Sequence, residues 1–262
     1  MHRFFLTNAQ PAIGEAIDLS PLRHQLQRVL RAKPGDRVLL LDGRGFEYVT
    51  ELEAANGRET TGRVLERHCA HGEPRAHVTL WQCALKADKM EWVLQKGTEL
   101  GVSRFVPVIS ERTIVRPAAA LLGKYERWRT IVREAAEQSG RGRVPELAEP
   151  LSYAEAVRQA DGIRLLPWED AGGAPSLAGR FGPAAGHAAD ARVSLLIGPE
   201  GGLSVAEAQV ATETGWKLAT LGPRTLRAET AALAAVALVM ALAGEMGPSA
   251  PEVVGGPTAR EV

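Results

Sequence analysis

The stretch LLIGPEGGLSVAE, Leu195 to Glu207, runs a short apolar segment into Gly-Pro-Glu-Gly-Gly and then into Ser204, with Glu207 three residues later. The apolar run reads as a buried strand, and the Ser/Glu pair as a capping box opening a helix. A strand turned by glycines straight into a helix is a unit of a parallel sheet, and such sheets bind ligands where these turns leave the carboxyl edge. The turn is neither Gly-x-Gly-x-x-Gly nor a Walker loop, because no Gly-Lys-Ser/Thr follows. A phosphate loop would want a lysine, whereas this one carries Glu200. The glycines serve either a tight connection alone or the close approach of a ligand other than a phosphate.

The same rhythm extends on both sides. HVTLWQCAL (77–85), SRFVPVIS (103–110), GIRLLPW (162–168), RVSLLIG (192–198) and WKLATLG (216–222) read as strands. DKMEWVLQKGTELG (88–101) reads as a helix with Asp88 as its cap, Glu91 at the capping-box position and Gly101 as its stop. KYERWRTIVREAAEQS (124–139) is amphipathic, with Trp128, Ile131, Val132, Ala135 and Ala136 on one face. The alternation predicts an α/β domain whose mainly parallel sheet is covered on both faces. AALAAVALVMALAG (231–244) is too short to span a bilayer and reads as a helix buried on nearly all sides.

Residues 1–72 carry a different pattern. DRVLLLDGRGFEYVTELE (36–53) and TTGRVLERH (60–68) are β-rich, with Asp-Gly-Arg-Gly as a turn. One helix fits Ser20 to Arg31, with Pro21 in its first turn and Leu22, Leu26, Val29 and Leu30 on one face. This is a small β module, and CAHGEPRA (69–76) is the linker after it. The Gly/Ala-rich stretch near 171–191 reads as a loose loop with one poor helix, and the tail beyond Gly247 as disordered.

Bulk composition bounds the functional classes. The 262 residues are 45% hydrophobic, enough for one large domain or two unequal ones. Lys+Arg and Asp+Glu are both 31, so nucleic-acid or membrane binding must come from local patches rather than overall charge. Cys69 and Cys83 lack the spacing of a zinc cluster or a disulfide framework, and the N-terminus lacks the apolar core of a signal peptide. A reducing, cytoplasmic setting is expected. His68, Cys69 and His71 read as part of a solvated linker, and no metal is expected.

Two further segments carry charge where chemistry is done. In LGPRTLRAETAALAAVAL (221–238), Arg224, Arg227 and Glu229 precede an almost featureless apolar helix. An arginine at the positive end of a helix dipole is electrostatically awkward, which points to a functional reason or to an Arg227–Glu229 ion pair. In EQSGRGRVPEL (137–147), Arg141 and Arg143 follow a helix end in a glycine-rich loop, placed to grip phosphates or simply exposed. Lys86, Lys89 and Lys96 fall on or beside one helix, as a solvated face does.

Taken in order, LLIGPEGGLSVAE and LATLGPRTLRAETAALAAVAL, with KADKMEWVLQKGTELGVSRFVP and EAAEQSGRGRVPEL upstream, resemble the bacterial 16S ribosomal RNA uracil-N3 methyltransferases of the SPOUT superfamily. MHRFF and HQLQRVLRAKPGDRVLLLDGRG resemble that family's N-terminal PUA-like barrel. The resemblance covers residues 1–244. It implies a PUA-like barrel over 1–72, a SPOUT methyltransferase domain with a trefoil knot over 73–247, and a tail over 248–262. It also implies S-adenosylmethionine as methyl donor, a homodimer, and 16S rRNA in the small ribosomal subunit as substrate.

The resemblance assigns residues as well. Gly198, Gly201 and Gly202 would let the backbone reach the cofactor, with Leu221, Gly222 and Leu226 as the facing wall. Leu166, Glu169, Ile197, Pro199, Glu200 and Arg227 complete the cofactor set. Arg227 is the expected electrostatic stabiliser of an ionised uracil, and Glu229 the candidate base or the orienter of Arg227. Arg3, Arg23, Arg28, Arg31, Lys86, Lys89, Lys96, Arg141 and Arg143 are the expected RNA contacts. The alternatives are a non-catalytic RNA-binding protein and a SPOUT enzyme acting at another RNA position.

Overall fold

The computed structural model describes residues 1–6, 10–56, 59–115, 118–182 and 190–247. The expected disordered tail over 248–262, and 183–189 of the Gly/Ala-rich stretch, lie outside the described residues.

The N-terminal module is a five-stranded sheet. Its strands are β1 (Arg3–Phe5), β2 (Ala16–Asp18), β3 (Arg37–Leu41), β4 (Phe46–Ala55) and β5 (Thr60–Cys69), in the order β1-β3-β4-β5-β2. Only the β1–β3 pair is parallel. Asp42 makes the β3–β4 turn: its Oδ1 accepts the N–H groups of Arg44 at 2.7 Å and Phe46 at 3.1 Å. Gly43 and Gly45 supply the positive φ that the turn needs. Phe4, Leu19, Leu26, Leu40, Tyr48, Leu52 and Val64 fill the core.

The helix expected over Ser20–Arg31 is wound differently. Ser20–Leu22 is a 3₁₀ turn and His24–Val29 is a π-helix, which Leu30 N–H closes on Gln25 O. Wider winding turns each residue through a smaller angle than an α-helix does. Leu26 is therefore buried with Leu22 and Leu30 beside it, while Val29 swings out to solvent.

The second sheet is parallel throughout. Its strands are β6 (His77–Cys83), β7 (Arg104–Ile109), β8 (Glu146–Leu147), β9 (Leu151–Ser152), β10 (Ile163–Pro167), β11 (Arg192–Ile197) and β12 (Lys217–Ala219). The order is β12-β10-β11-β6-β7-β8, with β9 also on β7. The chain moves outward from β6 to β7, crosses back to lay down β10, fills the gap with β11, and ends on β12 at the edge.

Strand parity sends alternate residues to opposite faces. Leu80, Leu165 and Leu195 pack under α1 (Ala87–Glu99), α2 (Ala118–Leu122), α3 (Tyr125–Ser139), α5 (Leu177–Phe181) and α7 (Ala228–Leu242). Trp81, Leu166 and Leu196 pack under α4 (Tyr153–Gln159) and α6 (Val205–Glu213). Both faces are covered, as the alternation of strand and helix requires. Two helix details differ from expectation. Helix α1 starts two residues early, with Lys86 at its cap position and Asp88 inside the first turn; Glu91 instead grips Arg127 through two hydrogen bonds. Helix α7 is not buried all round, since Leu238 and Leu242 are 41% and 40% exposed.

The module meets α3 through a small apolar cluster of Phe5, Leu41 and Ala136, flanked by polar contacts. Arg133 of α3 donates to Phe5 O at 2.6 Å, and Glu137 accepts Phe5 N–H at 2.9 Å. Gly45 N–H donates to Gly142 O at 3.2 Å. The linker passes so close to the end of α3 that a Cβ at Gly72 would collide with the Gly140 carbonyl.

Candidate active site

Three connections leave the carboxyl ends of β10, β11 and β12 side by side. After β11, Gly202 N–H closes a turn on Pro199 O at 3.0 Å, with Gly202 at φ +69°. Ser204 and Glu207 then form the capping box of α6, as the sequence predicts. Glu207 also accepts Glu111 N–H at 2.8 Å, which ties the loop after β7 to this turn. After β12, Thr220 Oγ1 accepts Gly222 N–H at 3.1 Å, and Gly222 takes φ +108° before the chain enters α7 at Arg227.

These connections enclose a cavity of about 460 Å³. That is within the usual size of small-molecule sites. Ile197, Gly198, Pro199, Glu200 and Gly202 line it from the β11 side. Leu221, Gly222, Leu226 and Arg227 face them, and Glu169 borders it after β10. Two expected cofactor residues do not reach it. Leu166 is fully buried beneath the opposite face of the sheet, where strand parity sends it. Gly201 turns toward Arg112, whose guanidinium donates to its carbonyl at 3.0 Å.

The charges inside are arranged differently from expectation. Glu229 pairs with Lys89 rather than with Arg227: Lys89 Nζ lies 3.5 Å from Glu229 Oε2 and 3.7 Å from Glu200 Oε1. Lys89 lines the cavity and Glu229 does not. Glu200 Oε1 also accepts the Lys86 backbone N–H at 3.2 Å. Among the described residues, Glu200 Oε2, Glu229 Oε2 and the Trp168 indole N–H are buried without a hydrogen-bond partner, and Trp168 is part of the lining. Behind the site, burial pushes the Cys83 thiol up to about 12.

The expected RNA contacts divide. Arg28, Arg31, Lys86 and Arg143 are exposed, although Arg143 also donates to Arg44 O at 3.3 Å. Arg3 is half-buried against Gly140, and Arg23, also half-buried, donates to Ser20 Oγ at 3.3 Å. Lys96 pairs with Glu99 at 2.7 Å and lies over the Trp92 ring. Lys89 belongs to the cavity. Arg141 is a correction: only 2% exposed, it is held by Glu73 at 2.8 Å and by the carbonyls of Thr98 and Val102. A guanidinium with four of its five N–H groups bonded inside the fold, and only 2% exposed, cannot reach a phosphate. The sequence did carry a signal for Lys89, since a lysine in the first turn of a helix opposes the dipole unless an anion sits beside it.

A parallel sheet with a cavity at its carboxyl rim, preceded by a small β module, defines the class. The family model of the RNA methyltransferase domain matches residues 72–240, and that of the RNA methyltransferase PUA domain matches residues 25–65. The chain belongs to the ribosomal RNA small subunit methyltransferase E family. The Bacillus subtilis member is 30% identical over 245 residues, covering 91% of this chain and 96% of that one. The Synechocystis member is 36% identical over 222 residues, covering 84% and 70%. The crystal structure of the Neisseria gonorrhoeae member, bound to S-adenosyl methionine, superposes with a TM-score of 0.82 at 35% identity, covering 92% of this chain and 98% of that one.

Proposed function

We propose that this protein transfers a methyl group from S-adenosylmethionine to N3 of a uridine in 16S ribosomal RNA of the small subunit. The carrying observation is the cavity that both glycine-bearing connections line at the carboxyl rim of β10, β11 and β12.

The residues present fit this donor. Gly202 leaves open a position where a Cβ would lie 2.7 Å from Glu169 Oε1, and the buried Trp168 N–H is a polar atom still without a partner. Ile197, Leu221 and Leu226 are apolar walls for an adenine ring, and the main chain around Gly198, Pro199 and Gly222 is open to its polar edge. The donor supplies an electrophilic methyl on a sulfonium, which N3 takes while sulfur keeps the electron pair of the broken bond. The protein must hold N3 in line with that methyl, keep water out, and remove the N3 proton. Arg227, exposed at the rim and at the start of α7, is positioned to meet the incoming RNA.

The wider reading follows the same lines. The domain division at residue 72 agrees with the gap between β5, ending at Cys69, and β6, starting at His77. The knotted path rests on the family: the connections after β11 and β12 flank the end of β10 and line one cavity, where the trefoil would lie. Helix α7 presents Leu238 and Leu242, and the adjoining α1 presents Trp92, 51% exposed, which supports a homodimer through this face. No described helix is long and apolar enough to cross a membrane, and a ribosomal substrate fits a cytoplasmic location.

The test is a comparison of 16S RNA from cells with and without the gene, nucleotide by nucleotide. One N3-methyluridine should disappear and return when the purified protein and S-adenosylmethionine are added to the unmodified particles. Loss of a different modification, or none, overturns the reading.

A further inference from the structure

Three elements remote in sequence meet at one ammonium. Lys89 comes from the first turn of α1, Glu200 from the connection after β11 and Glu229 from the first turn of α7. The side chains are 24%, 18% and 17% exposed, so their charges are largely withdrawn from water. Two carboxylates face one cation, which leaves one negative charge in excess. The two carboxylates are not equivalent: Glu200 borders the cavity, and Glu229 lies behind Lys89. Glu200 Oε2 is buried and accepts no hydrogen bond, so it holds free lone pairs beside the cavity. The other charged side chains of the lining are Glu169, Arg224 and Arg227, and both arginines are exposed. Water screens an exposed cation more than a half-buried one, so Lys89 is the least screened of the three cations lining the cavity.

We propose that Glu200, Lys89 and Glu229 act as one unit on the substrate pyrimidine. Glu200 takes the N3 proton, and Lys89, anchored by Glu229, meets the negative charge that this leaves on the pyrimidine's carbonyl oxygens. This rests on the reading of the chain as a uridine N3 methyltransferase. The step balances: the N3–H bond breaks, an O–H bond forms on Glu200, and the electron pair stays on the ring. Glu200 loses a charge as the pyrimidine gains one, so Lys89 keeps two anionic partners until methyl transfer neutralises the ring. The proton leaves Glu200 for water once the product has gone. Lys89 and Glu200 are catalytic residues, and Glu229 is a positioning residue, because it acts through Lys89.

The experiment uses small-subunit particles lacking the methyl mark, prepared once with uridine and once with 5-fluorouridine, whose N3 is more acidic. Lys89→Met and Glu200→Gln should each slow methylation of uridine roughly 10²-fold, as loss of one charge-stabilising group in an active site does. Calorimetry should show S-adenosylmethionine binding retained in both. Fluorine should restore a larger fraction of the rate in each variant than it adds to the wild type, and Lys89→Arg should keep most of the activity. If these residues only staple the connections together, cofactor binding and rate fall together and fluorine gives no selective rescue, which overturns the proposal. Wild-type rates in Lys89→Met overturn it too. A wild-type enzyme that leaves N3 unmethylated overturns the underlying reading, and this proposal with it.

Discussion

Replacing Glu73 with alanine strands the Arg141 guanidinium inside the protein. Among the described residues, Glu73 is the only carboxylate bonded to it: Nη2 meets Oε1 at 2.8 Å and Nε meets Oε2 at 3.4 Å. Breaking a buried ion pair from one side costs about 3–5 kcal/mol, because the remaining charge stays uncompensated. Glu73 is itself partly reached by water, and Arg141 keeps the Thr98 and Val102 carbonyls. The loss should therefore fall at the lower end, about 3 kcal/mol. Followed by circular dichroism in urea, that moves the midpoint down by roughly 1 M. Adding Arg141→Met to Glu73→Ala should recover part of the loss, because the unpaired charge goes with it. RNA affinity of the folded variants should keep the wild-type salt dependence. An unchanged midpoint would refute the clamp. So would an Arg141→Met protein of normal stability whose log–log salt slope drops by about 0.9, the signature of one lost phosphate contact.

Other outcomes follow from single features. Gly202→Ala puts a side chain at φ +69° and pushes a Cβ against Glu169, so calorimetry should show weaker S-adenosylmethionine binding, with about 1–2 kcal/mol lost from stability. Leu238→Glu places a charge on the open face of α7, so the proposed homodimer should fall to monomer in sedimentation; a dimer that persists excludes this face. A thiol reagent at pH 8 should label Cys69 at once and Cys83 only after unfolding. Cys69 is exposed, whereas Cys83 is buried with its pKa at about 12, leaving a thiolate fraction of about 10⁻⁴.

Where pattern and burial coincide, the sequence was enough. Strands β3 to β7 and β10 to β12, the capping box at Ser204 and the two glycine connections follow from local periodicity and turn chemistry, whereas the two- and three-residue strands β1, β2, β8 and β9 are too short to show a period. Side-chain environment does not, because it depends on remote partners. Arg141 reads as a surface cation until Glu73 arrives from 68 residues upstream. Leu165 and Leu166 are alike in sequence, and only parity within β10 decides which face each takes. Lys89 lies between Lys86 and Lys96 in the same stretch, and what sets it apart is that Glu200 and Glu229, both remote in sequence, converge on it. The winding of 24–29 escaped because an amphipathic spacing fits an α-helix and a π-helix almost equally over six residues.

The edge of β1 has a further consequence. Strand edges ordinarily advertise bare main-chain groups to any passing chain. Here the outer N–H and C=O of Phe5 are spoken for by Glu137 and Arg133, both on α3 of the other lobe. Swinging the two lobes apart would bare that margin, so the pair behaves as a caliper with locked jaws.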